Sequence, residues 1–225
     1  MRESDLVEIY PRLWHMAEDG SWDSIREQGL LSTSALLDLY RIEGERRFKI
    51  ESSNRPESVS IHRVALPDVT IRDQKPLSDE ALSKCLLDGI TPAQWYEKLN
   101  KRTFFWLSRE RLHRLLGARA YRNQPQTVLT LDTHSLVAAH RQRIELSPIN
   151  SGSTLFTPQR RGHDTFLPIE DYPFEHWRKR RPLIDAVVEL VILYGVPDIE
   201  KHVIGVHRVV NKISLELWRR PGSNI

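Results

Sequence analysis

AVVELVILYGVP, from Ala186 to Pro197, is a run of aliphatic and β-branched residues interrupted by one acid. Its length and composition predict a buried β-strand closed by Gly195 and Pro197. Strand alternation puts Ala186, Val188, Leu190 and Ile192 on one face, and Val187, Glu189, Val191 and Leu193 on the other. Glu189 therefore has apolar neighbours on both faces of its own strand. A carboxylate in that setting costs several kcal/mol of desolvation unless it is paired or lines a cleft. On an edge strand the same side chain would turn to solvent instead.

Two earlier segments bear on that choice. In LWHMAEDGSWDSIREQGLLSTS, Leu13 to Ser34, a short strand carrying His15 runs into turn and cap residues at Asp19 to Ser21. A helix follows through Trp22, Ile25 and Arg26 and stops at Gly29, a good left-handed cap. His15 is then either a core histidine with one ring nitrogen bonded to backbone or a residue facing a site. In RTFFWLSRERLHRLLGARAY, Arg102 to Tyr121, an aromatic strand over Thr103 to Leu107 meets a helix with its stripe at Leu112, Leu115 and Leu116. Ser108 is an N-cap candidate without a capping box. Arg109 stands at the helix start, where the macrodipole disfavours a cation. That placement suits a shared anion, although a solvated surface arginine is the commoner case.

The three segments together resemble the NAD-dependent ADP-ribosyltransferases, and most closely their DarT-like branch, which modifies DNA bases. The matching features are His15 and the helix ending in Gly29-Leu30 with Ser32 after it; Phe104-Phe105-Trp106 followed by Arg109; and Glu189 followed by Val196-Pro197. The tRNA 2′-phosphotransferases are similar in the first block. The chain departs from the pattern at Asp23-Ser24, where Asn is usual, and residues 41–101 are longer than expected between the first two blocks. The resemblance implies an α+β fold with an ADP-ribosyltransferase-like split central β-sheet and flanking helices, formed by one domain over residues 1–225 with an insertion at 41–101. It implies NAD as substrate, no metal, nicotinamide as leaving group, and an antitoxin partner. It assigns Glu189 and Arg109 to catalysis, and His15, Met16, Gly29, Leu30, Ser32, Phe105 and Trp106 to holding NAD. It also makes the loop before the late strand the target-recognition element, with Arg160, Arg161, Asp164 and Tyr172 as contacts. Arg178 and Arg180, in a basic run, would add a clamp on a phosphate backbone; the same run also suits a helix C-terminus.

Composition narrows the class. With 225 residues and 40% hydrophobic content the chain can bury one sizeable core. A single cysteine, Cys85, excludes an internal disulfide and a cysteine-based zinc site. The nine histidines show no metal-binding spacing. The opening MRESDLVEIY lacks the apolar core of a signal peptide, and the longest apolar run is too short for a bilayer, so a cytoplasmic protein is expected. The net charge of +3 hides an asymmetry: residues 1–100 hold 13 basic and 18 acidic side chains, and residues 101–181 hold 15 and 7. That middle third suits a polyanion, with single-stranded DNA favoured; a codon bias toward Arg would produce the same count.

Along the chain, strands are predicted at Ser58 to Pro67, Val69 to Arg72, Thr127 to Thr133 and from Ile144. Helices are predicted over Leu77 to Asp88 and from Thr91-Pro92 through Leu99. Three other functions remain open. One is a nucleotide- or nucleic-acid-binding module of the same fold without chemistry. Another, implied by the similarity to the 2′-phosphotransferases, is transfer of an RNA 2′-phosphate to NAD. A third is an ADP-ribosyltransferase with a protein acceptor; Val187, two residues before Glu189, is not the Glu or Gln that accompanies an arginine target.

Overall fold

The computed structural model describes residues 1–223. The chain begins with α1 (Glu3–Ile9), β1 (Arg12–Glu18), α2 (Trp22–Gln28), β2 (Leu30–Leu31) and α3 (Thr33–Leu39). Residues 41–101 supply α4 (Gly44–Glu51), β3 (Val59–Ile61), β4 (Val69–Ile71), α5 (Asp79–Cys85) and α6 (Pro92–Asn100). The remainder is β5 (Arg102–Trp106), α7 (Arg109–Leu116), β6 (Gln126–Asp132), α8 (Thr133–His140), β7 (Ile144–Ser147), β8 (Leu167–Pro168), α9 (Phe174–Arg178), β9 (Glu189–Leu193), β10 (Gly195–Val196), β11 (Val203–Val210) and β12 (Ile213–Arg219). This is an α+β arrangement. Among the described residues no helix is long and apolar enough to cross a membrane.

Local chemistry sets most helix starts. Ser32 caps α3 by accepting from the Ala35 N–H, and Ser78 caps α5 by accepting from Ala81. Thr91 and Gln94 form a capping box on α6, with Pro92 in its first turn. Ser108 makes no side-chain cap bond on α7.

Eight strands make one antiparallel sheet in the order β12-β11-β6-β1-β5-β9-β7-β8. Its two halves are joined unusually. β1 pairs with β6 along its whole length, from Arg12↔Asp132 to Glu18↔Gln126, and β5 pairs with β9 from Arg102↔Leu193 to Trp106↔Glu189. Between β1 and β5 the only registered pair is Trp14↔Trp106. That pair lies near the start of β1 and at the end of β5, so the strands part toward Glu18 and Arg102.

The main core lies on the sheet and draws on both halves, with Leu13, Leu129 and Leu131 from one and Leu190 and Ile192 from the other. Two satellite clusters root the 41–101 segment. Trp95, Tyr96 and Leu99 pack with Phe166 and Val191, while Leu37, Tyr40, Ile50, Ile61 and Ile71 bind the β3–β4 hairpin to α3 and α4.

Two expectations change, and one feature is new. The apolar run from Ala186 to Pro197 is not one strand: β9 begins at Glu189 after a 3₁₀ turn at Leu183–Asp185, and Tyr194 and Gly195 at φ +60° and +107° bend the chain out of the sheet. The remainder becomes β10, paired with β2 through Gly195↔Leu31 and Val196↔Leu30. The strand expected from Ser58 to Pro67 shortens to β3, with Ala65 turning at φ +68°. The β11–β12 hairpin lacked a sequence reading; its two turn residues, Asn211 and Lys212, both take positive φ, as tight hairpin turns require.

The β2–β10 contact is close enough to exclude side-chain carbon. A Cβ on Gly29 would lie 2.6 Å from Pro197 Cα and 2.9 Å from the Val196 oxygen, and φ there is +87°. Gly20 has φ +74° with nothing within 4 Å of its Cβ position. Gly29→Ala should therefore lower the unfolding free energy by about 2–4 kcal/mol in chemical denaturation, against about 1 kcal/mol for Gly20→Ala. Equal losses would mean that backbone conformation alone, and not this packing, sets the cost.

Candidate functional site

A cleft of about 1330 Å³ opens where β1 and β5 part. His15 to Glu18 line one side and Arg102 to Trp106 the other. The α2–β2 turn, with Gly29, Leu30 and Ser32, closes one end; residues 67–77 of the 41–101 segment form a further wall. Glu189 lies at the base, with Arg111, Tyr121, Asn150, Gly152 and Ser153 also in the lining.

His15 spans the split. Its Nδ1 lies 2.8 Å from the Phe104 carbonyl, so Nδ1 carries the proton and donates. Burial, followed by the charge of Arg72, pushes its pKa down to about 4 against the raising effect of that bond, so the ring is neutral near pH 7. A neutral ring protonated at Nδ1 leaves Nε2 as an acceptor. The ring also packs on Phe105, with centroids 5.8 Å apart.

Glu189 is 3% exposed. The Ser151 N–H lies 3.2 Å from each carboxylate oxygen, and the Ser151 hydroxyl donates to Oε2 at 2.7 Å. Burial pushes its pKa up to about 7, against the lowering effects of Ser151, Arg161 and Arg111. A carboxyl poised there at neutral pH, inside a cleft, is suited to moving a proton.

The structure gathers Glu189, His15, Met16, Gly29, Leu30, Ser32, Phe105 and Trp106 around one cavity. Ser32 is 2% exposed and its hydroxyl is already engaged by the Ala35 N–H. Gly29 contributes backbone pressed on Pro197. Arg109 is not in this set. It is exposed at the first position of α7, on the side where its charge reaches His207. Two residues later the helix has turned about 200°, and Arg111 enters the cleft. Arg111 donates to Asp185 at 2.5 Å, while its Nε is buried without a hydrogen-bond partner.

The proposed nucleic-acid contacts divide. Arg160, Asp164, Arg178 and Arg180 are exposed and outside the cleft lining, with Arg178 paired to Glu175 and Arg180 bonded to His176. Arg161 and Tyr172 are interior residues, 1% and 2% exposed, and are corrected accordingly. Arg161 spends its guanidinium on three carbonyls of its own loop, and the Tyr172 hydroxyl donates to the Ala186 carbonyl. Neither can meet a ligand at the surface. The same loop instead presents Leu155 and a fully exposed Phe156 held at φ +63°.

Residues 67–77 bring further cations, Arg72 and Lys75, to the cleft. Arg72 donates to Gln126 at 2.5 Å and lies 5.0 Å from the Tyr121 ring centroid, while the Tyr121 hydroxyl donates to Asp73. Sequence reasoning had not linked Ser151 or Arg111 to Glu189. The polar run Asn150-Ser151-Gly152-Ser153 was the available signal. Another partly buried carboxylate, Glu145 of β7, is tied to Arg102 at 2.8 Å.

His140, Asp198 and His202 form a separate cluster whose ligand atoms lie within 4.8 Å of one another. Arg143 donates to His140 Nδ1 at 2.7 Å, and a guanidinium has only donors. His140 must therefore carry its proton on Nε2, directed at Asp198 2.8 Å away. Arg143 also donates to the carbonyls of Leu193 and Gly195. The cluster thus latches the β9–β10 bend to the end of α8, and the tautomer it enforces opposes metal ligation through Nε2.

The family described as "Family of unknown function (DUF7002)" matches residues 11–203, a span that contains every cleft residue named above. No curated protein matches the chain.

The raised Glu189 carboxyl has a consequence for stability. Its folded pKa of about 7 exceeds the model-compound value of 4.5, so between these values the folded state binds more protons than the unfolded state. Glu189 therefore costs stability as pH rises through that window. Glu189→Gln should stabilise the fold by about 3 kcal/mol at pH 8 and by little at pH 4.5, an order-of-magnitude expectation checked by urea denaturation at both pH values. A gain of the same size at both would show that the carboxyl is not raised.

Proposed function

The chain belongs to the DUF7002 family, and for this member we propose NAD-dependent transfer of ADP-ribose to a nucleic-acid base, single-stranded DNA favoured, with release of nicotinamide. The observation that carries the reading is the buried, proton-poised Glu189 in a cleft formed by two parting strands, with neutral His15 on the opposite strand. The parted sheet is the arrangement that the ADP-ribosyltransferase resemblance implies. The cleft exceeds the ordinary range of about 300–1000 Å³ for small-ligand sites, which leaves room for a dinucleotide and part of an acceptor.

In this reading the bond between nicotinamide and the ribose C1′ breaks through an oxocarbenium-like transition state, as in glycoside hydrolysis. Ionised Glu189 stabilises the developing positive charge and holds the ribose. A new bond forms between C1′ and the acceptor atom of the base, whose proton passes to the carboxylate. His15 Nε2 accepts from a ribose hydroxyl, and the β1 backbone at Met16 faces the nicotinamide. Arg111, rather than Arg109, and Arg72 line the cleft and are assigned to the pyrophosphate. Phe156 offers a stacking face to an unpaired base beside the exposed Arg160.

Purified protein incubated with NAD and single-stranded DNA should release nicotinamide, and Glu189→Gln should reduce that release by about 100-fold or more. Arg111→Ala should lower it at least tenfold, whereas Arg109→Ala should stay within about twofold. Phe156→Ala should lose about tenfold of the DNA-stimulated rate and none of the NAD-only rate. NAD consumption that requires a phosphorylated RNA and ignores Glu189 would point to phosphate transfer instead. Absence of turnover with every nucleic acid would sink the transferase reading.

A further inference from the structure

The carboxylate of Glu189 has Ser151 as its hydrogen-bonding partner, and both residues are buried, at 3% and 0% exposure. Ionising such a group draws on donors already in place, because so little of it meets water. The position of Ser151 therefore matters, and Arg161 fixes it. Arg161 Nη1 donates to the Ser151 carbonyl at 2.8 Å, Nη2 to Ser153 at 3.0 Å, and Nε to Gln159 at 2.9 Å.

Arg161 is an unusual residue to find inside a loop. It is 1% exposed, and among the described residues no carboxylate lies in ion-pair contact with it. A buried guanidinium without a counter-ion is costly, and truncating it would leave three carbonyls without donors. Its main chain is bonded to the end of α5, with Arg161 N donating to Cys85 and Leu87 N donating to the Arg161 carbonyl. Burial lowers the Arg161 pKa and raises that of Glu189, and the two charges oppose these shifts in each other. The peptide of Ser151 lies between them, its carbonyl toward the cation and its N–H toward the anion.

We propose that Arg161 and Ser151 are positioning residues, a relay that orients the Glu189 carboxylate and sets the pH at which it ionises. The consequence for turnover rests on the transferase reading; the relay itself does not. The charged groups facing Glu189 are Arg161 from the 150–162 loop and Arg111 from α7, which is neutralised in part by Asp185 at the entrance to β9. The strands on either side present Trp106 and Ser147 opposite it. Both the Ser151 bonds and the Arg161 charge favour the ionised form. Loss of either moves the Glu189 midpoint to higher pH, and with it the acid limb of the activity profile.

The test is a ¹³C NMR titration of the Glu189 carboxyl in the full chain, assigned by its absence in Glu189→Gln, beside the pH profile of nicotinamide release. Ser151→Ala is expected to raise the midpoint by about one pH unit, the size of one lost charge-assisted hydrogen bond, and Ser151→Thr to restore it. Arg161→Lys keeps the charge but cannot brace three carbonyls. It is expected to raise the midpoint in the same direction and to speed amide exchange at Ser151 and Ser153 at least tenfold. A midpoint unchanged in Ser151→Ala and Arg161→Lys overturns the relay, even if turnover still requires Glu189. A shifted midpoint in a protein that turns over no NAD keeps the relay and removes the transferase reading.

Discussion

Trp14 and Trp106 form the one registered pair between the halves of the sheet, and the site exists because the pairing goes no further. Each strand is fully laddered on its other side, β1 by β6 and β5 by β9, so neither can drift. What remains is two facing edges, His15 to Glu18 and Arg102 to Phe105, whose backbone polar groups need partners other than each other. His15 meets one of these needs with its ring, donating to the Phe104 carbonyl. The others face a cleft, where water or a ligand can satisfy them. A continuous ladder at this point would give a stronger sheet and no cavity.

The ends of the split are held by different means. Toward α2, the β2–β10 pair interlocks through glycines, and the His140–Asp198 and Arg143 contacts pin the bend that leads into β10. Toward the 41–101 segment the closure is made by packing and by single bonds, such as Thr154 N to the Pro76 carbonyl and Arg72 to Gln126. Glu189 stands between these supports as the first residue of β9. At a strand's first position a side chain can reach a neighbouring loop, and here it reaches Ser151. It does so although its backbone is paired on both sides, with Trp106 of β5 and Ser147 of β7.

Much of this was readable from the chain. The anomaly of one acid in an apolar run located Glu189, and the strand, turn and glycine pattern around His15 placed it on a strand leading to a helix. The Thr91-Pro92 pair marked a helix start that the structure keeps. The misses share a physical cause: they depend on direction and not on residue type. Arg109 and Arg111 look equivalent in sequence, and only the 100° step of a helix decides which faces the cleft. Arg161 was expected at the surface because the resemblance makes its loop the target-recognition element, and its burial follows from three carbonyls in a loop whose shape has no sequence signature. The break of the late strand at Tyr194 required a non-glycine residue at positive φ, which propensity does not anticipate.

The charge asymmetry changes meaning once the side chains are placed. The basic excess of residues 101–181 suggested a broad surface for a polyanion. Several of those cations are instead spent internally: Arg102 on Glu145, Arg111 on Asp185, Arg143 on carbonyls and His140, and Arg161 on its own loop. Others, such as Arg178, are offset by local acids. A long-range field needs unpaired charge at the surface, and paired or buried arginines contribute little to it beyond a Debye length of about 8 Å. Recognition of a nucleic acid by this chain would therefore depend on a few local contacts, such as those offered by the exposed Phe156 and Arg160 of the loop whose root holds Glu189. The contact that selects an acceptor and the bond that sets the carboxylate would then belong to one segment of chain.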